Sequence, residues 1–135
     1  VISELCKIIK NINEKGPNIK IVAALSSGLF NLESEDYRCS VIAQNEWLDS
    51  MIITNTSLNN MSNWIKSDIT KEYSLSPDWD NNWRAGGNLD EVIDESHLSS
   101  DWQMKAICKF ANERDLRLDK LRNILPSQAI DTMEV

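Results

Sequence analysis

The chain has 135 residues, with 14 Lys and Arg against 21 Asp and Glu, a formal charge of −7, three Cys and one His. That length suits one domain able to bury a core without disulfides or a metal, and 41% hydrophobic with 26% charged residues excludes wholesale disorder. The acidic balance argues against binding a phosphate backbone, which needs clustered Lys and Arg, and the longest apolar run, Ile21-Val22-Ala23-Ala24-Leu25, is far too short for a membrane span.

Helical periodicity runs through the chain. Leu5, Ile8, Ile9 and Ile12 put one apolar stripe on a first helix that Gly16-Pro17 should end. Asn18 is placed to cap a second helix carrying Ile21, Val22, Leu25 and Leu29, although Ile19-Lys20-Ile21 alternates as a strand would. Ser34, followed by Glu35 and Asp36, is a good start for a long third helix bearing Tyr37, Val41, Leu48, Met51 and Ile52, because a hydroxyl takes an orphan N–H and carboxylates suit the helix dipole. After the polar break at Thr54 to Ser57, Leu58, Met61, Ile65 and Ile69 form a fourth stripe.

Ser74 to Asn88, with Pro77 and Gly86-Gly87, reads as a long loop. Asn88 with Glu91, and Ser100 with Gln103, have the spacing of capping boxes. The first opens a short helix with Leu89, Val92 and Ile93; the second opens one with Trp102, Ala106, Ile107 and Phe110. A last helix carries Leu118, Leu121, Ile124 and Leu125 and stops at Pro126. The expected fold is all-α, a compact bundle of six or seven short helices forming one domain over residues 1–125, with 126–135 as a tail.

Cys6, Cys39 and Cys108 form no CxxC pair and read as reduced, mostly buried thiols of a cytoplasmic protein. The opening Val1-Ile2-Ser3-Glu4 lacks the basic and apolar regions of a secretory leader, and the missing initiator Met points to trimming or to excision from a longer chain.

Charge is concentrated. Between Asp78 and Asp101 seven acidic residues face the single Arg84, a net −6, whereas Trp102 to Arg122 carries +3. The plain reading is two solvated faces. Trp79, Trp83 and Trp102 give the acidic stretch a second reading: stiff aromatic contact area ringed by carboxylates complements a basic partner. The same tryptophans would serve equally well as plugs that fold the loop onto the bundle.

Motifs for chemistry fail one by one. Asp78-Trp79-Asp80-Asn81-Asn82 begins like a calcium loop, but Trp83 stands where Gly is needed and Leu89 where a bidentate Glu is needed. One His and scattered Cys make no zinc set, and His97 reads as structural. Ser26-Ser27-Gly28 lacks the first Gly of a nucleophile elbow, and no phosphate-binding Gly-rich loop is present. Asp90 with Asp94, and Glu91 with Glu95, are carboxylate pairs without a matching pair on another helix.

The expectation is therefore a non-enzymatic, cytoplasmic protein with no cofactor and no metal. It would dock on a basic protein through Asp78, Trp79, Asp80, Trp83, Asp90, Glu91, Asp94 and Glu95, as an inhibitor or immunity-type protein covers a toxin such as a nuclease. No nucleic-acid or membrane partner is expected. The rivals are a helical interaction domain gripping a peptide in an apolar groove and a small carboxylate- or metal-dependent hydrolase using His97. A further rival, nucleic-acid binding through Lys105, Lys109, Arg114 and Arg117, is weakened by the acids interspersed among them.

Overall fold

The computed structural model describes residues 1–15, 18–84 and 86–123. The expected helix stop at Gly16-Pro17, the expected helical positions Ile124 and Leu125, the stop at Pro126 and the rest of the tail to residue 135 lie outside the described residues. Among the described residues the chain is all-α: α1 (Ile2–Lys15), α2 (Ser27–Leu32), α3 (Glu35–Val41), α4 (Gln44–Leu48), a 3₁₀ helix (Leu58–Trp64), α5 (Asp68–Tyr73), α6 (Leu89–Glu95), α7 (Ser100–Asn112) and α8 (Arg114–Arg122). The only β pairing among them is an isolated parallel bridge between Ile53 and Leu75, closed by the Thr54 N–H to the Leu75 carbonyl and the Leu75 N–H to the Ile52 carbonyl.

The core has two parts. On α1, Ile8 and Ile12 pack against Ile107 of α7, with Leu5, Ile19 and Met104 around them. Ile69 and Tyr73 of α5 pack against Leu118 and Leu121 of α8, with Phe110 alongside. Met51 touches both clusters and joins them. Ile9 turns out at the exposed edge of the first stripe, because Leu5, Ile8 and Ile12 already fill the face toward α7.

Charged and polar side chains carry much of the long-range order. Glu4 of α1 is buried and accepts from the Ser100 N–H at 3.0 Å, so it supplies the first turn of α7 with an acceptor from a distant part of the chain. The capping box expected from Ser100 and Gln103 does not form. Ser99 is the cap residue, and Gln103 is fully buried with its amide nitrogen donating to the carbonyls of Leu98 (2.9 Å) and Val1 (3.2 Å). Arg117, 2% exposed, donates to Asp49 at 2.6 Å and stacks on Phe110 with its guanidinium 3.7 Å from the ring centre. Burial, with Glu113 next, pushes the Tyr73 hydroxyl up to about 12.

Three expected helices are broken. Residues 18–26 are not helical; the run Ile19, Ile21, Val22 is β-branched, and Ser26 rather than Asn18 caps α2 by accepting from the Leu29 N–H. Ser34 caps α3 as expected, accepting from the Tyr37 N–H, but the long third helix stops at Ile42, whose backbone is extended. Glu46 then accepts from the Ala43 N–H at 2.7 Å and from Lys20 at 2.8 Å, which starts α4 afresh. The fourth stripe divides into the 3₁₀ helix and α5 at Ile65, whose backbone is extended, and Ser67 starts α5 afresh by accepting from the Thr70 N–H.

The cysteines also differ from expectation. Cys6 and Cys39 are exposed and Cys108 is half-buried; all three are free thiols, and the first two lie on helix faces that no core cluster covers.

Candidate functional site

The acidic segment divides into a braced loop and an open helix. In the loop, Asp78 accepts from the Ser76 hydroxyl at 2.6 Å, the Ser57 hydroxyl at 2.8 Å and the Leu58 N–H at 3.4 Å. Those bonds hold its carboxyl below the usual range, with the Ser76 and Ser57 hydroxyls foremost. Asp78 thereby anchors the start of the 3₁₀ helix and turns its oxygens toward its own chain. Asp80 is likewise engaged: burial works to raise its pKa, but the Asn82 N–H and the Arg84 guanidinium outweigh it and hold the carboxyl low. The Asn82 N–H sits 3.2 Å from Asp80, an Asx turn, and Asn81 takes φ 57°, a left-handed conformation that Asn tolerates.

Arg84 fastens the loop to the end of α6. It pairs with Asp80, donates to the Pro77 carbonyl at 2.9 Å and to the Glu95 carbonyl at 3.0 Å, and lies over the Trp79 ring. The Trp79 indole N–H reaches the same Glu95 carbonyl at 3.4 Å.

Sequence reasoning missed the centre of this arrangement. His97 takes φ 61° just past α6, and its ring is stacked between two indoles, 3.8 Å from Trp79 and 3.7 Å from Trp102 between ring centres. Lys105 covers the far side of the system, with its ammonium 5.0 Å from the Trp102 ring centre. The ladder Arg84, Trp79, His97, Trp102, Lys105 thus ties loop, α6 and α7 together. Burial lowers the His97 pKa from 6.5, Arg84 and Lys105 lower it further, and Asp80 and Asp94 work the other way. The histidine therefore leans toward its neutral form. Only the shared proximity of Trp79, His97 and Trp102 in sequence hinted at the stack.

The remaining expected residues face solvent. Asp90, Glu91, Asp94 and Glu95 are exposed on α6, which starts at Asn88 through the bond its side chain accepts from the Glu91 N–H at 3.0 Å. Asp94 accepts from the Ser99 hydroxyl at 3.2 Å, and Glu95 lies 3.9 Å from Arg84. Trp83 is 98% exposed, while Trp79 is 51% exposed because its ring is held in the ladder. The two loop tryptophans therefore have different places: Trp79 folds the loop down and Trp83 stands out from it.

Among the described residues no three His, Cys, Asp or Glu side chains gather as a metal site, and no helix is long and apolar enough to cross a membrane. Compared with known protein families, curated proteins and solved structures, the chain finds no match.

Proposed function

We propose that this chain is a non-enzymatic, cytoplasmic binding protein that docks on a basic protein surface through Trp83 and the acidic face of α6. The most concrete form is an inhibitor or immunity-type protein that covers the phosphate-binding site of a toxin such as a nuclease.

The supporting observation is Trp83, 98% exposed on a loop that Arg84 and Asp80 brace from within. An indole is a large contact with few side-chain rotations to freeze, so its burial against a partner gains much apolar area at a small ordering cost. Arg84, the next residue, is bonded to the Glu95 carbonyl, which ties this segment of the loop to the end of the helix that carries Asp90, Glu91, Asp94 and Glu95. Solvent-facing carboxylates around an aromatic anchor attract a cationic surface over a Debye length and speed encounter more than they deepen affinity. Asp78, Trp79 and Asp80 support this surface from below and are not assigned to the contact itself.

The test is capture of partners from the source cell lysate at low and high salt by the native chain, by Trp83→Ser and by the chain with Asp90, Glu91, Asp94 and Glu95 changed to Ser. One basic protein that binds the native chain, leaves at high salt and ignores both variants is the expected outcome. A partner held equally by all three chains would overturn the reading.

A further inference from the structure

A second site lies in the other half of the molecule, where α2, α3, α4 and the 3₁₀ helix meet. None of these four elements buries a residue fully. Three half-buried rings join α2, α4 and the 3₁₀ helix: Trp47 and Trp64 stack at 5.7 Å between centres, and Phe30 tilts against them at 6.2 and 5.6 Å. Beside this trio is an open cavity of about 380 Å³, within the range of small-molecule sites, and all three rings line it.

Its polar lining is cationic and under-satisfied. Arg38 lines the cavity, and its Nε is shut off from solvent without a hydrogen-bond partner. Among the described residues Arg38 makes no ion pair, even with Glu35 one turn before it, which also lines the cavity. The shielded Nε lies out of a ligand's reach, but the Arg38 guanidinium lines the cavity with its charge uncompensated by an ion pair, and such a cation is suited to a carboxylate or phosphate. Lys66, also in the lining, sets a second cation 5.4 Å from the Trp47 ring centre. Asn31 and Gln44 add amide groups that can read a ring edge.

We infer that this cavity binds a small planar aromatic molecule carrying an anionic group, with the ring against Phe30, Trp47 and Trp64 and the anion on Arg38. The inference is independent of the proposed docking surface, which involves none of these residues. Two sources share this chemistry, a nucleotide and a simple aromatic carboxylate, and the probes separate them.

Cys39 lies in the same lining and is exposed, whereas Cys6 is exposed on α1 and does not line the cavity. A ligand seated in the cavity should therefore slow alkylation of Cys39 and leave Cys6 unchanged. Adenosine monophosphate and 1-naphthoate are titrated in parallel with their uncharged counterparts, adenosine and 1-naphthalenemethanol, with peptide mass spectrometry reading each thiol and calorimetry reading affinity. The expected result is selective protection of Cys39 by at least one anionic probe. Its uncharged counterpart should bind roughly tenfold or more weakly, a gap that closes in Arg38→Gln. Circular dichroism confirms that this variant is folded, and Trp83→Ser should bind the probe as the native chain does. Protection by the nucleotide alone, or by the naphthoate alone, identifies the source. Equal protection of Cys39 and Cys6, no protection by either anion, or an anion preference that survives Arg38→Gln would overturn the inference.

Discussion

The loop 78–84 and helix α6 beyond it are both acidic, yet they use their carboxylates in opposite ways. Asp78 and Asp80 point into their own chain, held by Ser76, Ser57 and Arg84, and their negative charge is largely consumed in shaping the loop. Asp90, Glu91, Asp94 and Glu95 lie exposed on one short helix, where Ser99 bonds Asp94, Arg84 lies beside Glu95, and Lys7 and His97 feel the charges of Asp90 and Asp94. Net charge counts the two groups alike. Their surroundings show that a run of acids can be half scaffold and half surface, and that the tryptophans share the same division, Trp79 inward and Trp83 outward.

The comparison can be tested by removing carboxylate partners in order of engagement. The most buried ion pair among the described residues is Asp49 with Arg117, which is 2% exposed and bonded at 2.6 Å. Arg117→Ala leaves Asp49 without its cation and opens space beside Phe110, so urea denaturation should record a loss of about 3–5 kcal/mol. A loss under about 1 kcal/mol would place that pair with the dispensable surface ones.

Next comes Asp78→Ala, which frees the hydroxyls of Ser57 and Ser76 and the Leu58 N–H together. A loss of about 1.5–3 kcal/mol is expected, since these bonds go to a charged acceptor. Hydrogen exchange should quicken in the 3₁₀ helix before it does in α1. A neutral result would mean the loop is not scaffold after all.

The aromatic ladder gives a pH signature. Because the folded chain lowers the His97 pKa below 6.5, the unfolded chain takes up the proton more readily. The histidine therefore contributes stability that is full above pH 6.5 and is lost as the pH falls through the lower folded value. Between about pH 7 and pH 5 the urea midpoint of the native chain should fall more than that of His97→Asn, which keeps a residue tolerant of positive φ but cannot titrate. Parallel pH profiles would remove His97 from the account.

The smallest effect on folding is predicted for α6. Changing Asp90, Glu91, Asp94 and Glu95 to Ser should alter stability by no more than about 1 kcal/mol, because first-turn carboxylates such as Asp90 and Glu91 contribute a few tenths each, the exposed contacts of Asp94 and Glu95 add little, and relief of their mutual repulsion offsets part of the loss. A larger loss would show that these acids are scaffold as well, and the contrast with the loop would disappear.

What the sequence made legible was local. The all-α class, the caps at Ser34 and Asn88, and the buried positions Ile8, Ile12, Ile107, Leu118 and Leu121 come from hydroxyl or amide acceptors at helix starts and from helical spacing. The break at Ile42 was hidden, because apolar spacing alone does not weigh a side-chain bond such as Glu46 to Ala43, whereas the strand-like alternation of Ile19-Lys20-Ile21 already pointed away from a helix there. Also hidden were contacts made across the chain: Glu4 on the Ser100 N–H, Asp49 on Arg117, and His97 between two indoles. The acidic segment was visible as charge, but which of its eight candidate residues were already engaged depended on Ser57, Ser76 and Arg84 reaching them. Nor did spacing warn of the cavity beside Phe30, Trp47 and Trp64, since the rings come from three separate elements.

The most direct test of the docking surface is the association rate of the captured basic partner, measured across ionic strength for the native chain and for the chain neutralised at Asp90, Glu91, Asp94 and Glu95. The account predicts fast association by the native chain that falls steeply with salt, and slow, nearly salt-independent association by the variant. Equal rates with equal salt slopes would contradict it, and α6 would then be a solvated face and nothing more.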